Sequence, residues 1–429
     1  MRVNLKTLGC RLNEAELETW AQQLQSQGHQ IVRDSAIADL VIVNSCAVTD
    51  DAVKKSRYLI RRVHRENPRA KLVLSGCYAT LSAKEAAESL GVDLVVANAD
   101  KVRLIEMAKE RLDLPTMPVF SSELGEAPLF AMGRQRAFVK VQDGCRYRCT
   151  FCIVTVARGE EKSRPIEEIV SEINALHELG VQEVVLTGVH LGGYGSDSNS
   201  RLEHLIAAVL EHTGIPRVRL GSLEPWELTD GFLDLWKNPR LMPHLHLPLQ
   251  SGSDAVLRRM ARRCKTAEFA ELVARARQTV PDMNITTDII VGFPGETDEE
   301  WQESLGFIER MDFGHVHIFT FSARTGTKAA GLPSQVPHPT KRTRSLALHE
   351  LAESQRRSYL HRFVGRTFPV LWEGYKRSKP TGQRSISGYT PNFLRVTAVA
   401  EPGRALSRRI EAVPLRVVAK SGDHFLAEL

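Results

Sequence analysis

The sequence predicts an α/β protein built in three parts: an N-terminal doubly wound parallel α/β domain, a central partial (β/α)6 barrel and a small all-β barrel at the C-terminus. Three observations predict it. Short apolar runs alternate with helical stretches through the first hundred residues. A second series of the same kind runs from Ala137 to Phe321. After residue 363, β-type runs are separated only by Gly, Ser and Pro turns. At 429 residues, with 42% hydrophobic and 25% charged residues, the chain is too long for one ordinary domain and rich enough in apolar side chains to pack several cores.

In the first part, strand-like runs fall at Val3–Leu8, Leu40–Asn44, Leu72–Ser75 and Leu94–Ala97, with helical stretches at Glu14–Gln27, Ala52–Arg65 and Ala83–Leu90. Parallel strands need such crossovers. Residues Leu114–Ala131, with three prolines, read as a linker. Candidate strands of the second part are Ala137–Gln142, Glu183–Thr187, Val218–Ser222, Leu245–Leu249, Ile285–Val291 and Val316–Phe321. Six strands fall short of the eight that close a full barrel. Helical stretches lie at Ile166–Leu179, Leu202–His212, Ala267–Thr279 and Asp298–Met311; Pro333–Pro339 forms a break before a helix over Lys341–Phe363. The last part carries short runs at Thr367–Trp372, Phe393–Ala398, Ile410–Val418 and His424–Glu428. The expected boundaries are 1–125, 131–361 and 362–429.

The N-terminus lacks a signal-peptide core, and no apolar run approaches membrane-spanning length, so a soluble cytoplasmic protein without a membrane partner is expected. The net charge of +6 is uneven: from Ala323 onward there are 19 Lys and Arg against 7 Asp and Glu, leaving 38 against 44 before it. A basic appendage on an acidic body suits a polyanion, although a solvated surface has the same composition.

Seven cysteines are an odd number for a disulfide framework. Cys145-Arg-Tyr-Arg-Cys149-Thr-Phe-Cys152 places three thiolates on one loop after a predicted strand. A structural zinc site normally closes with four ligands, and the next cysteine, Cys264, is 112 residues on. Three thiolates on a four-iron cluster leave one iron open for chemistry. Cys10, Cys46 and Cys77 each follow a predicted strand of the first domain, so a parallel sheet brings them to one edge, where such sheets bind ligands. One cysteine there is ordinary packing; three successive ones point to a second cluster with an open iron.

CxxxCxxC after the first strand of a partial barrel resembles the radical S-adenosylmethionine (SAM) enzymes. With Thr7-Leu8-Gly9-Cys10-Arg11-Leu12-Asn13, Val43–Thr49, Ser75-Gly76-Cys77, Leu186-Thr187-Gly188, Gly193-Tyr194-Gly195, Ser222-Leu223-Glu224-Pro225, His246–Ser253 and Phe321–Thr327, the whole chain resembles the methylthiotransferases of that superfamily. The resemblance implies an N-terminal methylthiotransferase domain, a radical SAM core and a C-terminal TRAM RNA-binding domain. It implies two 4Fe–4S clusters and S-adenosyl-L-methionine as cofactors. Cys145, Cys149 and Cys152 would be catalytic, holding the SAM-cleaving cluster, and Cys10, Cys46 and Cys77 would hold the auxiliary, sulfur-donating cluster. Thr187, Gly188, Glu224 and Gln250, at strand ends, are the candidate SAM contacts.

Gly9-Cys10-Arg11-Leu12-Asn13 and Gly388–Val396 resemble the branch acting on N6-threonylcarbamoyladenosine (t6A) at tRNA position 37, rather than the branches acting on N6-isopentenyladenosine (i6A) or on an aspartate of a small-subunit ribosomal protein. The expected partners are the tRNA anticodon loop, an electron donor such as a flavodoxin-type reductant and a sulfur donor; an oligomer is not required. The reading from another class is a non-enzymatic RNA-binding protein stabilised by zinc, which would be colourless.

Lesser signals have plain explanations. Gly292–Thr297 suits a tight turn with an N-cap at Thr297, and Cys264, where the family often has Tyr, suits packing or surface. His244 and His246 lie on a strand near the core, where a lone histidine is more often hydrogen-bonded filler than a ligand, and neither is assigned a role. Gly192-Gly193-Tyr194-Gly195 lacks the dinucleotide fingerprint. Lys376, Arg377, Lys379, Arg384 and Arg395 gather around Tyr389 and Phe393, which either stack on RNA bases or fill the small barrel's core.

Overall fold

The computed structural model describes residues 1–112, 114, 135–229, 231–377, 384–399 and 410–427; most of the predicted linker, Lys379 and the side chains of Lys376 and Arg377 lie outside the described residues. The chain divides into two compact units. The first comprises 1–132 with 143–147 and 152–161; the second comprises 133–142, 148–151 and 162–429.

The first unit holds a five-stranded, wholly parallel sheet. Its spatial order is Gln30–Ile31, Arg2–Thr7, Leu40–Ser45, Lys71–Gly76, Leu94–Val96. Leu40–Ser45 is buried at every position, as a central strand covered on both faces must be. The helices Arg11–Ser26 and Asp50–Glu66 cover it, the latter capped by the Thr49 hydroxyl accepting from the Ala52 amide. The edge strand Gln30–Ile31 escaped sequence reading because two residues carry no period.

In the second unit, six parallel strands form two three-stranded sheets. One orders Arg217–Leu220, Glu183–Thr187, Arg136–Lys140; the other orders His244–His246, Asn284–Val291, His315–Thr320. Parallel bridges at Val218–Leu241 and Ser222–His246 join them into one curved, open array. Helices Leu202–His212 and Asp298–Met311 form at the expected positions. At Thr297 the capping box is complete, with the hydroxyl accepting from the Glu300 amide and Glu300 from the Thr297 amide, which accounts for the Gly292–Thr297 turn. The last long helix begins at His338, earlier than expected, because Pro339 sits in its first turn, where a missing N–H costs nothing. The short helices Val154–Arg158 and Asp254–Arg259 give too few turns for a periodic signal.

The C-terminal strands form a six-stranded, mostly antiparallel curled sheet, consistent with a small barrel. It meets the array at the first residues of the barrel strands. Arg219 clasps Glu183 with two hydrogen bonds of 2.8 and 3.1 Å, while Arg136 and Arg217 lie 3.8 Å from the same carboxylate. The cations then reach across: Arg217 donates to Pro369 O and Tyr389 O, Arg219 to Pro391 O, and Arg136 pairs with Glu373 at 2.7 Å. Tyr389 and Phe393, both half-buried, stack on one another at 4.7 Å, with Arg136 over both rings and Arg219 over Phe393, so the pair packs against these arginines and lies outside the small sheet's apolar core. His244 packs on Phe393 and is kept neutral by burial, a core filler as expected.

Glu183 is 1% exposed, and its arginines hold its pKa below the usual carboxylate value against the cost of burial. A depressed acid stabilises above its unfolded pKa, and that stability is lost as pH falls through the folded one. Glu183→Gln should therefore destabilise the second unit by about 3–5 kcal/mol at pH 7, since Arg217 and Arg219 lose their counter-charge and Arg136 keeps only Glu373. Denaturant titrations at pH 7 and near pH 4 check this: the difference from wild type should narrow at the lower pH.

Candidate functional site

In the first unit, the loops leaving the strands Arg2–Thr7, Leu40–Ser45 and Lys71–Gly76 carry Cys10, Cys46 and Cys77 to one sheet edge. The register Thr7↔Asn44 and Asn44↔Ser75 puts these departures level. Cys10 is exposed at the N-terminus of Arg11–Ser26; Cys46 and Cys77 are buried. Burial raises the Cys46 pKa, and the neighbouring Cys77 and Cys10 raise it further, so the three sulfurs act on one another electrostatically. Two glycines make the approach possible. A Cβ on Gly9 (φ +106°) would lie 2.6 Å from Cys46 Cβ, and one on Gly76 (φ +99°) 2.2 Å from Ser45 O.

Amides order the loops. Asn13 Nδ2 donates to Leu8 O at 2.7 Å and Ser45 O at 3.2 Å, and Asn98 Nδ2 lies 3.9 Å from Cys77 Sγ while donating to Ala157 O at 2.6 Å. Behind them sits a buried ionic network that sequence reasoning missed. Arg158, six residues beyond Cys152, is 2% exposed and reaches Glu16 at 3.1 Å, Asp143 at 2.9 Å and Asn13 Oδ1 at 2.8 Å. Lys101, equally buried, pairs with the other oxygen of Glu16. Glu16 and Asp143, with Cys77 and Cys10, hold the Arg158 pKa above its ordinary value despite burial. The available signal was Cys10-x-x-Asn13-x-x-Glu16, a three-residue spacing that puts all three along one side of a helix start. Two buried cations beside three thiols suit an anionic cluster.

The Cys145–Cys152 loop is built by close backbone approach. The Cys145 amide donates to Gly159 O at 3.2 Å, and a Cβ on Gly144 (φ +72°) would fall 1.8 Å from Glu160 O. Arg146 pairs with Glu161 at 3.1 Å, and the Val154 amide lies 3.4 Å from Cys152 Sγ. All three cysteines are partly exposed and in no disulfide, as cluster ligands need to be. In the second unit, Thr150 is fixed by the Met260 and Arg259 carbonyls, while Arg262 Nη1 lies 4.0 Å from Cys149 Sγ. Arg262 also covers the Trp226 ring at 4.3 Å and donates to Pro248 O.

Of the four residues named for SAM, Thr187 and Gly188 lie at the end of a strand, and Glu224 and Gln250 lie four residues beyond the strands ending at Leu220 and His246. Thr187 ends its strand, its carbonyl accepting from the Val141 amide, and Gly188 leaves the space that Gln142 occupies, for a Cβ there would lie 2.9 Å from Gln142 Oε1. Glu224 follows the Arg217–Leu220 strand. Burial raises its pKa, and among the described residues its buried Oε2 has no hydrogen-bond donor, lying 3.6 Å from His190 Nε2. An unsatisfied carboxylate oxygen fits the ammonium of an amino-acid ligand. Gln250 has φ +81°, a strained backbone for a side-chain-bearing residue, held by the Gln250 amide donating to Asp288 O and the Ile290 amide donating to Gln250 O. Cys264 is buried, its thiol pushed up to about 12, which is packing.

Comparison with known proteins bears on the chemistry. Residues 139–308 match the Radical SAM superfamily, and residues 2–97 match the uncharacterized protein family UPF0004. Threonylcarbamoyladenosine tRNA methylthiotransferase MtaB of Thermotoga maritima is 40% identical over 92% of this chain and 90% of its own. The tRNA-2-methylthio-N(6)-dimethylallyladenosine synthase of Staphylococcus haemolyticus is 32% identical over 90% of this chain and 77% of its own. The radical SAM methyltransferase TsrM of Kitasatospora setae shares the fold, with a TM-score of 0.56 and 14% identity over 77% of each chain. Among the described residues no helix is long and apolar enough to cross a membrane.

Gly76 sits at φ +99°, ψ −170°, a conformation nearly confined to glycine. Gly76→Ala should cost about 1–3 kcal/mol in strain alone and displace Cys77. After anaerobic reconstitution, iron per chain should fall from about eight toward about four. Full iron loading would show that the Cys77 loop tolerates the clash.

Proposed function

Because the chain belongs to the radical SAM methylthiotransferase family, we propose that it converts N6-threonylcarbamoyladenosine at position 37 of tRNA into its 2-methylthio derivative. The single observation that carries this reading is the 40% identity, over nearly the whole of both chains, to a protein of that name; three further relatives bearing it match at 34–38%. The dimethylallyladenosine synthases match at 31–34%, making the i6A reaction the second reading.

The cofactors are two 4Fe–4S clusters and S-adenosyl-L-methionine. When bound, they supply an electron, a radical able to remove hydrogen from an aromatic carbon that no base could deprotonate, and a transferable sulfur. The protein's share is to hold and orient. Cys145, Cys149 and Cys152 would hold the cluster that meets SAM, and Cys10, Cys46 and Cys77 would hold the auxiliary cluster, each set supplying three thiolates. Glu224 would accept a hydrogen bond from the SAM ammonium, Thr187 and Gly188 would border the methionyl group, and Gln250 lies beyond the next strand end. Arg158 and Lys101 offset negative charge beside the auxiliary thiolates.

Adenosine 37 is unpaired in the anticodon loop, so its base can leave the stack and enter a pocket. The division into 1–125, 131–361 and 362–429 assigns cluster binding, radical chemistry and RNA binding in turn, with the basic residues after Ala323 neutralising phosphates. A flavodoxin-type reductant and a sulfur donor complete the cycle, an oligomer is not required, and a tRNA substrate supports a cytoplasmic location.

Mass spectrometry of nucleosides is the test. Reconstituted protein, SAM, a strong reductant and tRNA carrying t6A should give the methylthio nucleoside; 5′-deoxyadenosine without it would defeat the substrate assignment. Cys149→Ala should abolish 5′-deoxyadenosine formation. Cys46→Ala should keep much of it and lose the methylthio product, and equal loss of both would overturn the division of labour.

A further inference from the structure

The inner side of the second three-stranded sheet carries a cluster that no step above uses. Residues of Asn284–Val291 alternate sharply: Ile285, Thr287, Ile289 and Val291 are at most 1% exposed, whereas Asp288 and Ile290 are only partly buried. Parallel pairing sets His246 beside Thr286, Thr286 beside His315, Asp288 beside His317 and Ile290 beside Phe319. His246 is fully engaged, Nδ1 with Thr286 Oγ1 at 2.9 Å and Nε2 with Asp288 Oδ1 at 3.2 Å. The His317 ring meets His246 edge-on at 5.4 Å and His315 at 4.5 Å. One polar atom from each of His246, Asp288 and His317 lies within 4.8 Å of the others. His317 and Phe319 are exposed, Phe319 by 46%. His246, unlike its neighbour His244, is tied to a carboxylate in this cluster.

The inner face of a barrel is ordinarily filled with branched apolar side chains. Two imidazoles and a carboxylate in that place, with an exposed aromatic ring beside them, form a lining for a ligand that is both polar and aromatic. The cluster also abuts the candidate SAM site, because the Asp288 carbonyl accepts from the strained Gln250 amide at 2.8 Å.

We propose that His246, Asp288 and His317 form the receptor for the N6 substituent of the substrate adenosine and set the choice of a threonylcarbamoyl over a hydrocarbon arm. This rests on the function proposed above. The threonylcarbamoyl arm offers a urea N–H and a hydroxyl as donors, and a carbonyl and a carboxylate as acceptors. Asp288 accepts from the donors, the His317 imidazole donates to an acceptor, and the Thr286–His246–Asp288 chain fixes the carboxylate's aim. Phe319 supplies a surface for the purine. A dimethylallyl arm would displace water from these groups and return no hydrogen bond, which is the kind of mismatch that polar sites reject strongly.

The experiment uses the full-length reconstituted protein and one tRNA sequence prepared with t6A or with plain adenosine at position 37. Wild type should bind the modified tRNA at least about tenfold more tightly. His317→Phe, at an exposed position that tolerates the change, and Asp288→Asn should each remove that preference while binding of the plain tRNA stays within about twofold. In turnover, both variants should lower kcat/KM for the t6A substrate by at least about a hundredfold. An unchanged preference in both variants overturns the proposal. So does a wild type holding one equivalent of zinc that either variant loses, which would make the cluster a metal site. If wild-type enzyme forms no methylthio product on t6A tRNA, the function itself falls; if it does and the variants match it, only the receptor falls.

Discussion

Parallel strand pairing is the constraint on which the molecule depends. It sends every strand-to-helix loop to the same sheet edge, so residues far apart in sequence become neighbours without any contact designed between them individually. In the first unit it gathers Cys10, Cys46 and Cys77; in the second it lines up Thr187, Glu224 and Gln250 at or beyond strand ends. The same pairing places His246, Asp288 and His317 side by side on one face. Glycine at positions 9, 76 and 144 then lets backbones approach to distances that no Cβ would permit.

Charge compensation follows from that convergence. Thiolates gathered at a sheet edge repel one another, and the first unit answers with Arg158 and Lys101, both buried and both tied to Glu16. Buried ion networks of this kind contribute little net stability, but removing one member leaves the others uncompensated. Arg158 lies shortly after the Cys145–Cys152 motif, so the segment following one cysteine set contributes to the surroundings of the other.

The C-terminal strands show how one set of residues can answer two different questions. Aromatic rings among cations have the composition of an RNA-binding surface, yet Tyr389 and Phe393 stack under Arg136 and Arg219 around Glu183. These arginines sit at or near the first residues of barrel strands, the end where side chains serve stability rather than chemistry.

The sequence by itself determined the order of the longer elements and the reaction class and singled out six cysteines as candidate cluster ligands, because the CxxxCxxC spacing and the α/β alternation are local signals. It also located Thr187, Gly188, Glu224 and Gln250 at or beyond strand ends. Two things were out of its reach. Short elements such as Gln30–Ile31 and Val154–Arg158 carry no readable period. Contacts such as Arg158 with Glu16, or Asp288 with His317, join residues 142 and 29 positions apart. His244 and His246 make the point most directly. They lie two residues apart on one strand and looked alike in sequence, yet one packs against Phe393 among arginines and the other is bound to Thr286 and Asp288. Only tertiary structure separated their surroundings, because these are set by what each side chain meets across the sheet and not by the residues beside it in the chain.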